Sequence, residues 1–180
     1  MKPGIAVCFP GTGFTCKEAL FERLASDFSA RGYDVIRLDF SHIPFREIES
    51  LEEAVAVAHR AVKRQLAHIC FDDYEDIVFV SKSLGTILAA QYERENGILP
   101  RHLYLTPLNK TLMLVQPQSR VIAMVLGTDD RFLTGRALLS FCEPRGIVCH
   151  LVEGVNHNLK DEEDVVRNQR IIDNIANLIH

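Results

Sequence analysis

Short runs of apolar and β-branched residues alternate along the chain with longer stretches of mixed polarity. The runs are nearly continuous, which is typical of strands that are buried on both faces of a sheet. They cover residues 5–9, 35–38, 77–80, 102–105, 121–126 and 147–152. Because stretches of helical length separate these runs, the pattern predicts a parallel sheet covered by helices.

Helical spacing is clearest between residues 51 and 69. Apolar side chains recur there at intervals of three and four, at Leu51, Ala54, Val55, Ala58, Val62, Leu66 and Ile69. A second predicted helix starts after Ser83 and stops at Gly97, with Pro100 just beyond. The C-terminal stretch carries Val165, Ile172, Ile175 and Ile179 along one side, and Gly32 and Gly146 are placed to end two further helices.

These elements predict an α/β protein, with a doubly wound, mainly parallel, six-stranded sheet in a three-layer sandwich and helices on both faces. No linker, repeat or low-complexity segment interrupts them, so we expect one domain over residues 1–180. In such a sheet the loops at the carboxyl ends of the strands form the functional site. Segments with candidate chemistry follow the first, third, fifth and sixth predicted strands, so all four are expected along the same edge.

Composition narrows the class of protein. The 180 residues suit a single domain, which commonly has roughly 100–200 residues. A net charge of −4, with both signs scattered, argues against a nucleic-acid partner. No apolar run approaches the roughly 18 residues of a membrane span, and the first run is too short for a secretory signal. With five cysteines and no C-x-x-C pair, we expect reduced thiols and a cytoplasmic protein without membrane partners.

The segment Val-Ser-Lys-Ser-Leu-Gly-Thr at 80–86 runs from a predicted strand directly into a predicted helix. It resembles the nucleophile elbow G-x-S-x-G of the α/β-hydrolase family, with Ser81 in place of the first glycine. The resemblance implies that Ser83 is a catalytic nucleophile and that the amide of Leu84 stabilises an oxyanion. The alternative is that Ser83 simply caps the helix.

Two further segments complete a possible triad in the family's chain order of serine, acid and histidine. Leu-Gly-Thr-Asp-Asp at 126–130 follows the fifth strand, and the family's G-x-x-D pattern selects Asp130 over its neighbour Asp129, which remains an alternative. Glu-Gly-Val-Asn-His-Asn at 153–158 leaves the last strand, where the family places its catalytic histidine, here His157. Histidine exchanges protons near neutral pH, which suits a general base.

The loop after the first strand reads Phe-Pro-Gly-Thr-Gly-Phe at 9–14. The family commonly has His-Gly here, and a backbone amide just beyond supplies the other half of the oxyanion hole. Pro10 replaces the usual histidine, but a backbone donor survives that change. Thr12 is the first candidate for the residue that supplies this amide, and Gly13 and Phe14 are the next candidates.

The resemblance implies a minimal α/β-hydrolase fold without a cap domain. It implies a serine hydrolase that cleaves a carboxylic ester or thioester through an acyl-enzyme, with no cofactor and no metal. An uncapped site is expected to be open. Its apolar rim would come from Leu112, Met113, Leu114, Phe132 and Leu133, although their spacing equally suits packing in the core. Lys82 and Arg131 flank the site and either attract an anionic group of the substrate or face solvent.

Other classes of protein fit less well. Gly-Thr-Gly-Phe-Thr at 11–15 resembles the phosphate loop of flavodoxins, which would make the chain an FMN-binding protein. That interpretation leaves the serine, aspartate and histidine unexplained, and Phe14 stands where flavodoxins have asparagine. A catalytically silent hydrolase-fold binding protein is the third possibility. The Walker A motif of nucleotide-binding proteins does not fit, because it requires a glycine directly before its lysine and Cys16 precedes Lys17. Nothing in the sequence indicates an oligomeric state.

Overall fold

Six parallel strands form one sheet in the computed structural model, which describes residues 1–161 and 163–179. The strand order is β2-β1-β3-β4-β5-β6, and every neighbouring pair is parallel. The strands are β1 (Ile5–Phe9), β2 (Asp34–Arg37), β3 (Ile77–Lys82), β4 (Arg101–Leu105), β5 (Arg120–Gly127) and β6 (Cys149–Val152). The predicted strands therefore all exist, with ends that shift by one or two residues.

Helices cover both faces of this sheet. They are α1 (Ala19–Ala30), α2 (Leu51–Leu66), α3 (Leu84–Asn96), α4 (Asn109–Leu114), α5 (Gly135–Cys142) and α6 (Val165–Ala176). Side chains alternate between the faces along each strand, so that Ala6 and Cys8 pack with α1 and α6 while Ile5 and Val7 pack with α2 and α3. A third apolar cluster joins β4 and β5 to α4 and α5. The core thus lies in two layers, one on each side of the sheet.

Local sequence signals set several helix ends. The Ser50 side chain accepts a hydrogen bond from the Glu53 amide at the start of α2, as an N-cap should. Gly97 ends α3 with a left-handed φ of 64°, as predicted from its position before Pro100. The apolar stripe reaches Ile69, but α2 ends at Leu66 and Ile69 packs against the core from the following turn.

The site edge of the sheet is shaped by close backbone approach. The strand order changes direction at β1, which pairs with β2 on one side and β3 on the other. At Gly85, in the first turn of α3, a Cβ atom would collide with the carbonyl oxygen of Phe9 at the end of β1. The glycine therefore brings the start of α3 against the end of β1. Between β4 and β5, the chain holds the short helix α4.

Over residues 1–161 and 163–179, none of the helices is long and apolar enough to cross a bilayer.

Candidate active site

Ser83 occupies a sharp turn between β3 and α3. Its φ of 53° and ψ of −121° are strained for a residue other than glycine. The backbone holds this conformation from both sides, because the Ser83 amide donates to the Leu105 carbonyl at 3.0 Å and the Ser83 carbonyl accepts from the Thr86 hydroxyl at 2.6 Å. The Ser83 side chain makes no capping hydrogen bond to α3. The hydroxyl is thus presented above the sheet rather than used by the helix.

Small residues make this turn possible. Ser81 is fully buried in β3, where its hydroxyl lies 3.4 Å from the Leu103 carbonyl oxygen. A Cβ atom added at Gly11 would lie 3.2 Å from the Cβ atom of Ser83, so the loop after β1 passes very close to the serine. The replacement of the first elbow glycine by serine is therefore accommodated within the strand.

His157, in the loop after β6, reaches Ser83 with one ring nitrogen and Asp130 with the other. Its Nε2 atom lies 2.8 Å from the Ser83 Oγ atom, and its Nδ1 atom lies 2.6 Å from Asp130 Oδ2. A carboxylate only accepts hydrogen bonds, so Nδ1 carries the proton and Nε2 is left to accept from the serine hydroxyl. The Phe132 ring contacts the imidazole edge-on, with 4.6 Å between centroids.

The Asp130 carboxylate is fully buried beneath His157. Burial raises its pKa, but hydrogen bonds from His157 and from the amides of Phe132 and Leu133 outweigh burial, so the net pKa lies below the ordinary aspartate value. Asp130 is therefore ionised at neutral pH. The neighbouring Asp129 is exposed, and its carboxylate accepts from the Thr128 hydroxyl instead. Of the two candidate acids, the structure brings Asp130 to the histidine.

Two backbone segments border the serine where an oxyanion would form. Leu84 is the first residue of α3, where helix amides have no intrahelical acceptor. Thr12 lies across from it in the loop after β1, and both residues line the same cleft as Ser83. Gly11, one residue earlier, uses its amide to bond the Phe14 carbonyl at 3.1 Å. Leu84 and Thr12, the two residues predicted to form an oxyanion hole, thus both lie beside the serine.

An apolar cleft of about 380 Å³ opens beside Ser83. Its apolar wall comes from Leu51 and Ala54 of α2, Leu108 before α4, and Phe132. Of the five residues expected at the rim, Phe132 lines this cleft. The others lie elsewhere: Leu112, Leu114 and Leu133 belong to the cluster under α4 and α5, and Met113 is 83% exposed. The alternation of apolar residues around α4 reflected packing onto the core.

Lys82 and Arg131 have opposite environments. Arg131 is exposed, with its guanidinium 4.7 Å from the centre of the Phe132 ring. Lys82 is buried and donates hydrogen bonds inside the site, so it neither faces solvent nor meets an incoming anion at the surface. The predicted strand ends at residue 80, so the sequence does not indicate that Lys82 is buried; in the structure β3 extends to Lys82.

The residues the structure describes offer no group of three or more histidine, cysteine, aspartate or glutamate side chains arranged to hold a metal ion. All five cysteines carry free thiols.

No protein-family model and no curated protein sequence matches the chain. The chain does, however, align with solved structures. The mouse alpha/beta hydrolase domain-containing protein 10 aligns with 99% of this chain and 90% of its own at 14% identity, with a TM-score of 0.67. The chain has the α/β-hydrolase fold.

Two further structures with this hydrolase fold agree over the whole chain. Est1E from Butyrivibrio proteoclasticus is 15% identical, with a TM-score of 0.65 and coverage of 99% of this chain and 89% of its own. An alpha-beta serine hydrolase homologue from Coxiella burnetii is 13% identical, with a TM-score of 0.65 and coverage of 99% and 85%. The predicted α/β class and doubly wound sheet are confirmed, and every strand pair is parallel.

Strand order alone would not separate this hydrolase fold from a flavodoxin. The order 2-1-3-4-5 occurs in both kinds of sheet. The solved structures that align with the chain identify the α/β-hydrolase fold rather than the flavodoxin fold.

Proposed function

We propose that the protein is a serine hydrolase that cleaves a carboxylic ester or thioester, with Ser83 as nucleophile, His157 as general base and Asp130 as the acid that orients it. The single observation that carries this proposal is the unbroken chain of hydrogen bonds from Ser83 Oγ through the imidazole to Asp130 Oδ2, at 2.8 and 2.6 Å. A strained serine at the start of a helix adds to it, because strain of this kind concentrates at functional sites.

The reaction would follow the usual course for such a triad. His157 Nε2 takes the Ser83 proton as Oγ attacks the acyl carbon, and the amides of Leu84 and Thr12 stabilise the tetrahedral oxyanion. The imidazolium then gives its proton to the leaving alcohol or thiol, which leaves an acyl-serine. A water molecule activated by the same imidazole attacks that ester, and the carboxylic acid departs with Ser83 restored.

The environment of each group supports its role. The Asp130 pKa is lowered by its hydrogen bonds after the opposing effect of burial, so a carboxylate faces Nδ1 throughout the neutral range. Phe132 covers one edge of the imidazole and keeps the ring in place. The apolar cleft beside Ser83, of about 380 Å³, has room for an acyl group of modest size.

The direct test is to label the purified protein with a fluorophosphonate, which reacts with activated serines, and to map the modified residue by mass spectrometry. We expect labelling at Ser83, and none in Ser83→Ala. Ser41→Ala is the matched control, because Ser41 is an exposed serine in the loop after β2 at the same edge of the sheet. Hydrolysis of acyl esters and thioesters of graded chain length then identifies the preferred bond.

Folded protein that fails to label would contradict the proposal. The next measurements would then be FMN uptake, which tests the flavodoxin interpretation, and binding of unreactive acyl ligands, which tests a silent hydrolase-fold binding protein.

A further inference from the structure

A lysine lies directly before the proposed nucleophile and is hidden from solvent. Lys82 is the last residue of β3, and it is 1% exposed. Burying an ammonium group is costly unless hydrogen bonds and opposite charges compensate for it. The hydrolytic steps above do not use this group, so its burial at the centre of the site needs another explanation.

The Lys82 ammonium joins three loops of the site. Its Nζ atom donates to the Thr106 hydroxyl, after β4, at 3.0 Å and to the His157 carbonyl oxygen, after β6, at 2.6 Å. The Phe14 ring, from the loop after β1, lies 4.6 Å from Nζ and offers its face to the charge. Lys82 therefore anchors the main chain of the same residue whose side chain contacts Ser83.

The charges around Lys82 favour its protonated form. Burial lowers the pKa of Lys82, while Asp130 and Glu18 raise it, and the net value is about 8. The titratable groups facing it are Asp130 at the end of β5, His157 after β6 and Glu18 just before α1. At neutral pH the ammonium is therefore mostly charged, and it lies in the same buried region as the Asp130 carboxylate.

We propose that Lys82 is a positioning residue for the hydrolysis: its ammonium holds the main chain of His157 so that the imidazole stays between Ser83 and Asp130, and its charge opposes premature protonation of that imidazole. This inference rests on the proposed function. The positioning effect and the electrostatic effect both come from the Lys82 ammonium, because it is hydrogen-bonded to the backbone of His157, the residue that must accept a proton.

The electrostatic effect has a definite sign. A positive charge near an imidazole disfavours the imidazolium form, whereas the negative charge of Asp130 favours that form. Lys82 therefore acts both directly and by offsetting the charge of Asp130. Removing the ammonium leaves Asp130 unopposed. Less of the variant is therefore expected to be in the reactive form in weak acid.

The experiment measures the second-order rate of fluorophosphonate labelling between pH 5 and 10, in wild type, Lys82→Met, Lys82→Arg and Lys160→Met. Methionine keeps the length of the side chain without its charge. Lys160→Met is the matched control, since it removes an exposed positive charge three residues after His157. We expect Lys82→Met to label about 10- to 100-fold more slowly at pH 7.5, the scale of a misplaced catalytic group. The acid limb of its pH profile, which is the range over which the labelling rate falls at low pH, should move to higher pH by about one unit.

Lys82→Arg keeps a charge that does not titrate in this range, so it should restore the acid limb to its wild-type position. Lys82→Gln removes the charge but keeps hydrogen-bond donors, so its acid limb should move up as in Lys82→Met. This variant answers the question even if Lys82→Met does not fold, because a folded Lys82→Gln with an unmoved acid limb would overturn the inference.

The remaining outcomes separate the two proposals. A folded Lys82→Met that labels within twofold of wild type, with its acid limb unmoved, overturns the role of Lys82 and leaves the hydrolase proposal intact. A slower variant with an unmoved acid limb overturns it as well, since packing alone would then explain the loss. If wild type does not label at all, the proposed function itself has failed.

Discussion

The Nε2 atom of His157 lies 2.8 Å from the Oγ atom of Ser83, although 74 positions separate the two residues in the chain. The contact follows from topology, because Ser83 follows β3 and His157 follows β6, and the carboxyl ends of parallel strands meet at one edge of the sheet. Asp130 follows β5, which lies between β3 and β6 in the sheet, and its carboxylate contacts the other ring nitrogen of His157. Three loops on one scaffold thus bring a serine, a histidine and an aspartate into one hydrogen-bonded chain.

The choice between two adjacent aspartates gives a sharp first prediction. Asp130→Asn should lower kcat by about 10³- to 10⁴-fold, because an amide can donate to Nδ1 and so favours the wrong tautomer of the imidazole. Asp129→Asn should stay within about twofold of wild type, since its carboxylate is exposed and bonds to Thr128. The measurement is kcat on the best ester found. A larger loss in Asp129→Asn than in Asp130→Asn would reverse the assignment of the acid.

The tight contact at Gly85 gives a prediction about stability. Gly85→Ala would drive a Cβ atom into the Phe9 carbonyl oxygen, so β1 and α3 must separate. Overpacking of this kind commonly costs about 1–3 kcal/mol in the free energy of unfolding, and we expect the midpoint in urea to fall accordingly. Gly13→Ala is the control, because a Cβ atom there meets nothing within 4 Å. Equal midpoints for the two variants would contradict the close approach.

The strands and their common edge were predictable because each buried strand is a nearly unbroken apolar run. The run at 77–80 predicts β3, and the Ser-x-Ser-x-Gly pattern after it predicts the turn at Ser83. Strand ends are less predictable. The apolar run at 147–152 places Ile147 in the last strand, but in the structure its amide donates a hydrogen bond to the Cys142 carbonyl and closes the turn at Gly146. A local hydrogen bond of that kind leaves no trace in hydrophobic periodicity.

The environment of single side chains was the least predictable part. A lysine next to a candidate nucleophile is usually at the surface, because lysine is rarely buried without partners. The partners of Lys82 are the Thr106 hydroxyl and the His157 carbonyl, which reach it from loops far along the chain. Leu112 and Leu114 are a second example, because the sequence predicts them at the rim of the site and the structure packs them against the core. Their spacing suits a surface lip and a core contact equally well, and tertiary packing decides between the two.

The cleft beside Ser83 predicts how chain length affects turnover. Ala54 of α2 lines this cleft, and Ala54→Phe would fill part of its volume of about 380 Å³. We expect kcat/KM for an octanoyl ester to fall by about tenfold or more, while an acetyl ester changes by less than about threefold, since only the longer chain needs the space. Unchanged fluorophosphonate labelling would show that Ser83 is intact in the variant. Equal losses on both esters would mean that the acyl chain binds elsewhere.

An ion pair at the opposite edge of the sheet predicts a pH-dependent effect on stability that leaves catalysis alone. Asp76, just before β3, accepts hydrogen bonds from Arg101 Nε at 3.0 Å and from the Tyr33 hydroxyl at 2.7 Å. Burial raises the pKa of Asp76, but these bonds lower it further than burial raises it. A lowered pKa in the folded state means that the carboxylate stabilises the protein above its unfolded value of about 3.9, and that this contribution is lost as the pH falls through the folded value.

Asp76→Asn should therefore reduce the free energy of unfolding by about 1–3 kcal/mol at pH 7, the range for hydrogen bonds to a charged group. The difference from wild type should shrink below about pH 4, where the wild-type carboxylate is increasingly protonated. Urea unfolding at both pH values measures it, with Asp72→Asn as the control for an exposed aspartate at the same edge. A destabilisation that is the same at pH 7 and in acid would show that shape, and not charge, makes Asp76 important, because only the ionised carboxylate gains from Arg101.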